Sequence, residues 1–301
     1  MIINRKDKIG YLDKDDLFNP FGLIEYDFQT QTKKEFSQFK DWKFSDISAD
    51  KRYFALISDW ITLRGTNKTE IVILDTVTED IIFSTKDYMT YTVKFSADGT
   101  KLLFDVNGLK PFCIDLLSKT IVAKIPKSVR IFNGDFDLET DNFYAPVEKK
   151  KNTFCVFNFQ DGNTQEYALK ISACIHRVRF SNDRQKVYFL ADDNALYCTD
   201  RDYKIIWKTD FNAVEAKTVW SSAVYCSENG DMLCLEAAET ASCKWGADFV
   251  VDASNGKILK QFDAYKGRGK LKSDYFGNKF VTFKGTTLDI ETGEVSENII
   301  I

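Results

Sequence analysis

The side chains that could perform catalysis are few. The chain of 301 residues has one histidine, His176, in the segment Cys174-Ile175-His176-Arg177. A serine or cysteine nucleophile needs an oriented base, and the sequence has no Gly-x-Ser-x-Gly elbow. It also lacks a phosphate-binding Gly-x-x-x-x-Gly-Lys loop and a Gly-x-Gly-x-x-Gly loop. We therefore expect a chain without catalytic residues, in which His176 is a satisfied polar side chain.

Acidic residues and cysteines also lack a metal-binding or redox pattern. The 45 acids are dispersed, and adjacent pairs such as Asp192-Asp193 lie in predicted turns, where solvation explains them. The seven cysteines form no Cys-x-x-Cys pair, which a zinc or redox site would favour. Cys113, Cys155 and Cys198 fall in corresponding apolar strands. We expect buried, reduced thiols and neither a metal nor a cofactor.

Charge and hydropathy restrict the partners. The net charge of −4 and the pI near 5.3 disfavour nucleic acids and anionic membranes and suit a basic protein. The basic run Lys149-Lys150-Lys151 is interpreted as a solvated hairpin tip. No segment has the length of a signal peptide or a bilayer span. These features predict a cytoplasmic monomer.

The elements that would position any site repeat about every forty residues. The pattern is an aromatic residue, Ser, any residue, Asp and Gly, followed by an apolar strand; the clearest copy begins at Phe95. It predicts a strand, a polar turn and a second strand. The copies, strong and weak, lie at 48–54, 95–104, 136–143, 180–189, 226–233 and 274–280.

A second hairpin lies between these copies. An apolar run ends in Asp or Asn, whose side chain can accept hydrogen bonds from backbone N–H groups two residues on. A few polar residues follow before the next strand. The seven acceptor residues are Asp27, Asp75, Asp115, Asn158, Asp200, Asp252 and Asp289.

Two strand pairs per period, without helical periodicity, predict an all-β propeller. We predict seven blades of four antiparallel strands in a single domain covering residues 1–301; six or eight blades remain open. Residues 1–12 supply inner strands of the first blade, or one of these strands joins the last blade to close the ring. Residues 296–301 form a final outer strand.

The Phe-Ser-x-Asp-Gly pattern resembles the repeats of WD40-like and related bacterial propellers over nearly the whole chain. The Gly-His pair and the Trp-Asp ending of true WD40 repeats are absent. One blade, residues 196–207, looks like a quinoprotein-type repeat. The resemblance implies a protein-binding platform more often than an enzyme, and it transfers no catalytic residue.

In a propeller, the connections between blades and the central loop of each blade lie on one face. The repeat register places aromatic and Arg residues there, the types that anchor protein interfaces. The longest central loops are residues 58–69 and 236–247. The predicted partner-binding residues are Trp42, Trp60, Arg64, Tyr91, Arg130, His176, Arg177, Trp220, Trp245 and Arg268. Of the five tryptophans, only Trp207 is predicted inside a strand.

Three functions are compatible with these observations. The first is a non-catalytic interaction platform, with an inhibitor or bacterial immunity protein that neutralises a partner as its extension. The second is a propeller hydrolase or lactonase that uses scattered carboxylates at the channel mouth, assisted by His176 or Arg177. The third, a small-ligand or quinone-binding propeller, depends on the quinoprotein-like blade alone.

Overall fold

The structure is a computed structural model in which short antiparallel strands dominate. It describes residues 2–4, 9–12, 23–27, 29–58, 61–63, 66–86, 89–107, 109–137, 139–211, 224–227, 229–238, 246–263, 275–276, 279–281, 287–289, 292 and 294–296. Among the elements that lie wholly within these residues, η1 (Ser37–Phe39) and η2 (Ile131–Asn133) are single-turn 3-10 helices and the others are strands.

Within the described residues, thirty strands form seven four-stranded sheets and one extra two-stranded hairpin. Strands of the first three sheets are β1 (Ile2–Asn4), β2 (Ile9–Leu12), β3 (Ile24–Asp27), β4 (Thr32–Glu35); β5 (Lys43–Ile47), β6 (Tyr53–Ile57), β9 (Ile71–Asp75), β10 (Ile81–Thr85); β11 (Thr90–Phe95), β12 (Lys101–Val106), β13 (Phe112–Asp115), β14 (Ile121–Lys124). The hairpin is β7 (Ile61–Leu63) with β8 (Thr66–Lys68).

The remaining four sheets continue in chain order. Their strands are β15 (Asp135–Asp137), β16 (Asn142–Pro146), β17 (Thr153–Asn158), β18 (Thr164–Ala168); β19 (Ile175–Phe180), β20 (Val187–Ala191), β21 (Ala195–Thr199), β22 (Ile205–Asp210); β23 (Val224–Cys226), β24 (Met232–Ala238), β25 (Gly246–Asp252), β26 (Ile258–Asp263); β27 (Tyr275–Phe276), β28 (Lys279–Val281), β29 (Thr287–Asp289), β30 (Val295–Ser296).

The predicted class, all-β with four-stranded antiparallel sheets, is confirmed. Residues 1–12 supply β1 and β2 of the first sheet, which pair with each other, and the described part of the predicted final strand ends at Ser296. Six sheets have strands of three to seven residues, whereas those of the last have two or three. The number of blades and the single domain stay predictions. By packing, the chain divides into two compact units, residues 41–178 and residues 1–40 with 179–301.

The Ser-x-Asp repeat closes the turn between the first and second strands of a sheet. In the third sheet, Ser96 Oγ donates to Asp98 Oδ1 over 2.6 Å and accepts the Lys101 N–H over 2.9 Å. In the fifth sheet, Ser181 forms the same pair of bonds with Asp183 and Lys186. The second sheet repeats it with Ser48, Asp50 and Tyr53. In the sixth sheet, Ser227 Oγ likewise accepts the Met232 N–H but donates to Asp231, four residues on. The repeat in the sequence is therefore a turn in which a buried hydroxyl replaces a missing ladder bond.

The Asp or Asn residue of the second hairpin closes the turn between the third and fourth strands. Asp27 Oδ1, for example, accepts the N–H groups of Gln29 and Thr30 at 2.7 and 3.1 Å. The predicted bond from such a side chain to the backbone N–H two residues on is confirmed at five positions. At Asp115 and Asp289 the donor is the N–H three residues on. Both kinds of turn lie at the same end of a sheet, because its strands are antiparallel.

Neighbouring sheets pack face to face through apolar inner strands. In residues 41–178, one buried cluster joins the second and third sheets and another joins the third and fourth. In the other unit, a cluster joins the fifth and sixth sheets. Strands β9, β20 and β21 are buried along their whole length. This burial explains why the inner strands are continuous apolar runs in the sequence.

Turns also pack against the outer strand of the preceding sheet. Trp207 in β22 donates its indole N–H to the Ala253 carbonyl over 3.3 Å, and Thr209 Oγ1 donates to the Gly256 carbonyl. Gly256 has a φ of +78°, and a methyl group there would lie 2.6 Å from Trp207 Cε3. A glycine is required here both by the turn conformation and by the indole.

The contact between Gly256 and Trp207 predicts that Ala will destabilise the fold more at Gly256 than at Gly230, although the two glycines have nearly the same φ. Gly230 has a φ of +79°, but a methyl group there would find its nearest atom 3.6 Å away. We expect Gly230→Ala to lower the free energy of unfolding by about 1–2 kcal/mol, the cost of left-handed backbone. Gly256→Ala should cost about 1–3 kcal/mol more, because the indole must move. Urea denaturation measures both, and equal losses would contradict the packing role of Gly256.

The turn carboxylates predict acid sensitivity. The hydrogen bond from Ser181 and the backbone N–H of Gln185 lower the pKa of Asp183 below its usual 3.8, and backbone and hydroxyl bonds from Ser118 lower that of Asp115. A lowered folded pKa stabilises the fold above the unfolded pKa, and this stabilisation is lost as pH falls through the folded pKa. The urea midpoint should therefore fall below about pH 4, and Asp183→Asn should reduce that fall. A wild-type midpoint that is independent of pH would contradict this account.

Candidate functional site

The structure describes five of the ten predicted partner-binding residues, and all five lie in residues 41–178. They occupy the entry end of the sheets, which we define as the end where the first strand begins and the second and third strands connect. The five described residues are Trp42, Tyr91, Arg130, His176 and Arg177. The other five lie outside the described residues and are Trp60, Arg64, Trp220, Trp245 and Arg268.

Solvent reaches most of this group. Tyr91, the second residue of β11, is 48% exposed, and His176, the second residue of β19, is also exposed. Arg130 is exposed and precedes η2, and Arg177 is partly buried. Trp42, next to β5, is half-buried and contacts other residues. Tyr91, Arg130 and His176 are therefore exposed at the entry end, whereas Trp42 and Arg177 are partly buried. That these residues bind a partner stays a prediction.

A short turn between the third and fourth sheets arranges the centre of the group. In η2, Phe132 is 60% exposed, and its N–H donates to Asp105 Oδ2 over 3.3 Å. Arg177 lies with its guanidinium 6.0 Å from the Phe132 ring centroid and donates to Asn133 Oδ1 over 3.2 Å. The cation and the Asp105 bond together hold an exposed phenyl ring in place.

Arg130 directly precedes this turn and forms an ion pair with Glu148. The hydrogen bond from Arg130 lowers the pKa of Glu148, and the same bond raises the pKa of Arg130. Asp105 and Tyr91 also act on Arg130 electrostatically. Burial raises the pKa of Asp105 despite the Phe132 N–H and Arg130. Cationic and aromatic side chains thus lie together with one buried carboxyl group, that of Asp105.

Sequence reasoning missed Asp105 and Glu148, which position the predicted residues. Asp105 follows the apolar run Leu102-Leu103-Phe104 and is only 7% exposed. An acid in a strand that is otherwise buried was the available signal, because a buried carboxylate needs a donor nearby. No sequence pattern indicated a role for Glu148, because its partner Arg130 is distant in the sequence.

The two long central loops are described in part. Residues 58–69 contain the hairpin β7–β8, whose base is tied by a bond from the Thr90 N–H to Thr69 Oγ1 over 3.0 Å. In the sixth sheet, β24 and β25 remain paired up to Ala238 and Gly246, and the loop between them lies outside the described residues. Trp207 is inside β22, as predicted.

Other sequence candidates have structural partners. Asp193 Oδ2 accepts the Tyr197 hydroxyl over 2.5 Å and pairs with Lys208 at 3.4 Å. Cys113, Cys155 and Cys198 lie in third strands, and burial raises the pKa of each thiol to about 12. Within the described ranges, no group of three or more His, Cys, Asp or Glu side chains could hold a metal ion. None of the helices described there could cross a membrane.

Comparison with known proteins identifies the fold. No protein-family model matches the sequence, and no curated protein matches it. The structure is similar to the β-propeller domain of Cps50 (Swd1) from Myceliophteria thermophila, with a TM-score of 0.65 and 11% identity over 97% of this chain and 93% of that one. It is also similar to the C-terminal WD40 domain of Sif2, with a TM-score of 0.58 and 12% identity over 92% of this chain and 75% of that one. The chain therefore has a β-propeller fold, as the sequence predicted.

The buried Asp105 predicts a specific response to substitution. Asp105→Asn keeps an acceptor for the Phe132 N–H but removes a charge that burial disfavours, so the melting temperature at pH 7 should not fall. Asp105→Ala leaves that N–H without its acceptor and should cost about 1–3 kcal/mol. Because the pKa of Asp105 is raised, the advantage of Asn over Asp should shrink as pH falls to about 4. Equal destabilisation by Asn and Ala would contradict this role.

Proposed function

We propose that this propeller is a non-catalytic scaffold that binds another protein through the entry end of its sheets. The binding surface includes Tyr91, Arg130, Phe132, His176 and Arg177. The remaining predicted residues, Trp42, Trp60, Arg64, Trp220, Trp245 and Arg268, would extend this surface. The fold it shares with WD40 propeller domains is compatible with this role but does not by itself assign it.

The observation that carries the proposal is the exposed aromatic pair. Phe132 and Tyr91 are 60% and 48% exposed. The Phe132 N–H donates to Asp105, and the Arg177 guanidinium lies over the ring. Tyr91 lies at a bulge between Thr90 and Thr92, both of which pair with β12. Exposed aromatic rings next to arginines are the residues that anchor protein interfaces, because they bury a large area and keep a polar contact. A rigid presentation of such anchors lowers the entropy cost of binding.

The finer form of the proposal is an inhibitor or bacterial immunity protein that neutralises one partner. Its support is the small size, the lack of a catalytic motif and the acidic composition. We further propose seven blades in one ring, a monomer and a cytoplasmic location. The expected basic partner follows from the net charge of −4 alone. The alternative of a hydrolase or lactonase stays a prediction, and the described carboxylates that we located act in turns and ion pairs.

The test is capture of a partner by the purified full chain from an extract of its source organism, followed by mass spectrometry and reconstitution with the purified partner. Phe132→Ala combined with Tyr91→Ala should weaken binding at least about 100-fold, since each anchor contributes about 2 kcal/mol. Isothermal titration calorimetry measures the affinity.

The matched control is Leu117→Ala combined with Val77→Ala. These side chains are 93% and 76% exposed but lie at turns at the other end of the sheets. The control should bind like wild type. Binding that survives the aromatic substitutions, or that is lost equally in the control, would contradict the surface assignment. Hydrolytic turnover of ester or lactone substrates that is unaffected by the aromatic substitutions would favour the enzyme alternative.

A further inference from the structure

We infer that the partner segment that docks at the entry end of the fourth sheet is an acidic polypeptide segment. This inference rests on the proposed function and specifies the chemistry of its partner. The net charge of the chain suggests a basic partner, whereas at this surface we expect an acidic one. We call the surface formed by residues 127–133, 147–152 and 173–177 the basic surface.

Backbone bonds join the three segments of the basic surface. Val129 pairs with Val147, and the Glu148 N–H donates to the Ser128 carbonyl over 2.6 Å. Lys151 pairs with Cys174. The central loop of the fourth sheet therefore lies between the segment that enters its own sheet and the segment that enters the fifth. The basic run that the sequence placed in a solvated hairpin tip is part of the same surface as the exposed aromatic ring.

The charges of these segments are strongly one-sided. The basic surface contains six cationic side chains and one carboxylate, that of Glu148. Lys149 and Lys151 are exposed and form no ion pair with another described residue, whereas Lys150 pairs with Glu166 at 2.6 Å. The cations are Lys127, Arg130, Lys149, Lys150, Lys151 and Arg177.

The other end of the same sheets has the opposite charge for a structural reason. The turns that close the two hairpins of a sheet use Asp, or in one case Asn158, as the acceptor, so acids collect there. In residues 48–52, 75–80, 96–100, 115–120, 137–141 and 158–163 there are ten acids and three cations. The overall negative charge of the chain therefore does not describe the basic surface.

An acidic segment with an aromatic or apolar side chain complements this surface. Its carboxylates would face Lys149 and Lys151, and its apolar side chain would cover Phe132 beside the Arg177 guanidinium. Opposite charges across an interface raise the association rate and select the partner. The exposed phenyl ring favours a polypeptide over a nucleic acid backbone, because a protein supplies apolar area as well as charge.

The experiment measures binding of three fluorescent probes to the full chain by anisotropy. They are a Glu-rich peptide with one Phe, the same peptide with Lys in place of Glu, and a single-stranded oligothymidylate of equal charge to the Glu peptide. We expect the Glu peptide to bind best and to weaken severalfold between about 50 and 200 mM salt. Lys149→Glu combined with Lys151→Glu should weaken it at least about tenfold.

The matched control is Lys119→Glu combined with Lys204→Glu, which changes the net charge equally. Both lysines are exposed and lie in turns between third and fourth strands, at the end of their sheets opposite to the entry end. Lys119 has a φ of +58°, which Glu79 adopts at the same turn position in the second sheet. This control should keep the affinity of wild type. Circular dichroism confirms that both double variants are folded.

Three results would overturn the inference. They are tighter binding of the oligothymidylate than of the Glu peptide, tighter binding of the Lys peptide, and equal loss in the two double variants. The captured partner separates this failure from failure of the proposed function. If Lys149→Glu with Lys151→Glu binds that partner normally while the aromatic variant does not, the scaffold role stands and the acidic segment is wrong. If neither variant affects the partner, the proposed surface itself is wrong.

Discussion

Side-chain acceptors that replace missing backbone partners in tight turns are the interaction on which the rest of this structure depends. Each sheet of four short strands has few ladder bonds, and its hairpins reverse direction where the ladder ends. A Ser hydroxyl and an Asp carboxylate satisfy the N–H groups at one turn, and an Asp or Asn satisfies them at the other. A net contribution of about 1 kcal/mol per bond, repeated in sheet after sheet, fixes the register of strands that are too short to fix it themselves.

The sequence predicted these turns well because their chemistry is local. Ser96, Asp98 and Gly99 are neighbours in the chain, so their spacing alone identifies the bond that they form. The same holds for Asp252 and Gly256. The strands between the turns were predictable as well, since strands buried on both faces must be apolar throughout.

The candidate site was only partly predictable because its contacts are not local. The register of the repeat was enough to place Tyr91, Arg130 and His176 at the entry end. It could not indicate that Asp105 orders the turn containing Phe132, or that Glu148 pairs with Arg130, since these partners come from different strands and loops. The composition of the basic run at Lys149 indicates a solvated turn, whereas the pairings of Val147 with Val129 and of Lys151 with Cys174 join it to the aromatic surface.

The two ends of a sheet also differ in how freely they accept additional residues. At the end where Ser, Asp and Asn side chains close the turns, an inserted residue would move these acceptors away from the backbone N–H groups that they bind. The ends of the paired strands would then fray. At the entry end the connections depend less on such short-range bonds, and the second sheet already includes the whole hairpin β7–β8 between β6 and β9. New loops, and with them new specificities, can therefore accumulate on one side of this scaffold while the other side keeps a constant length.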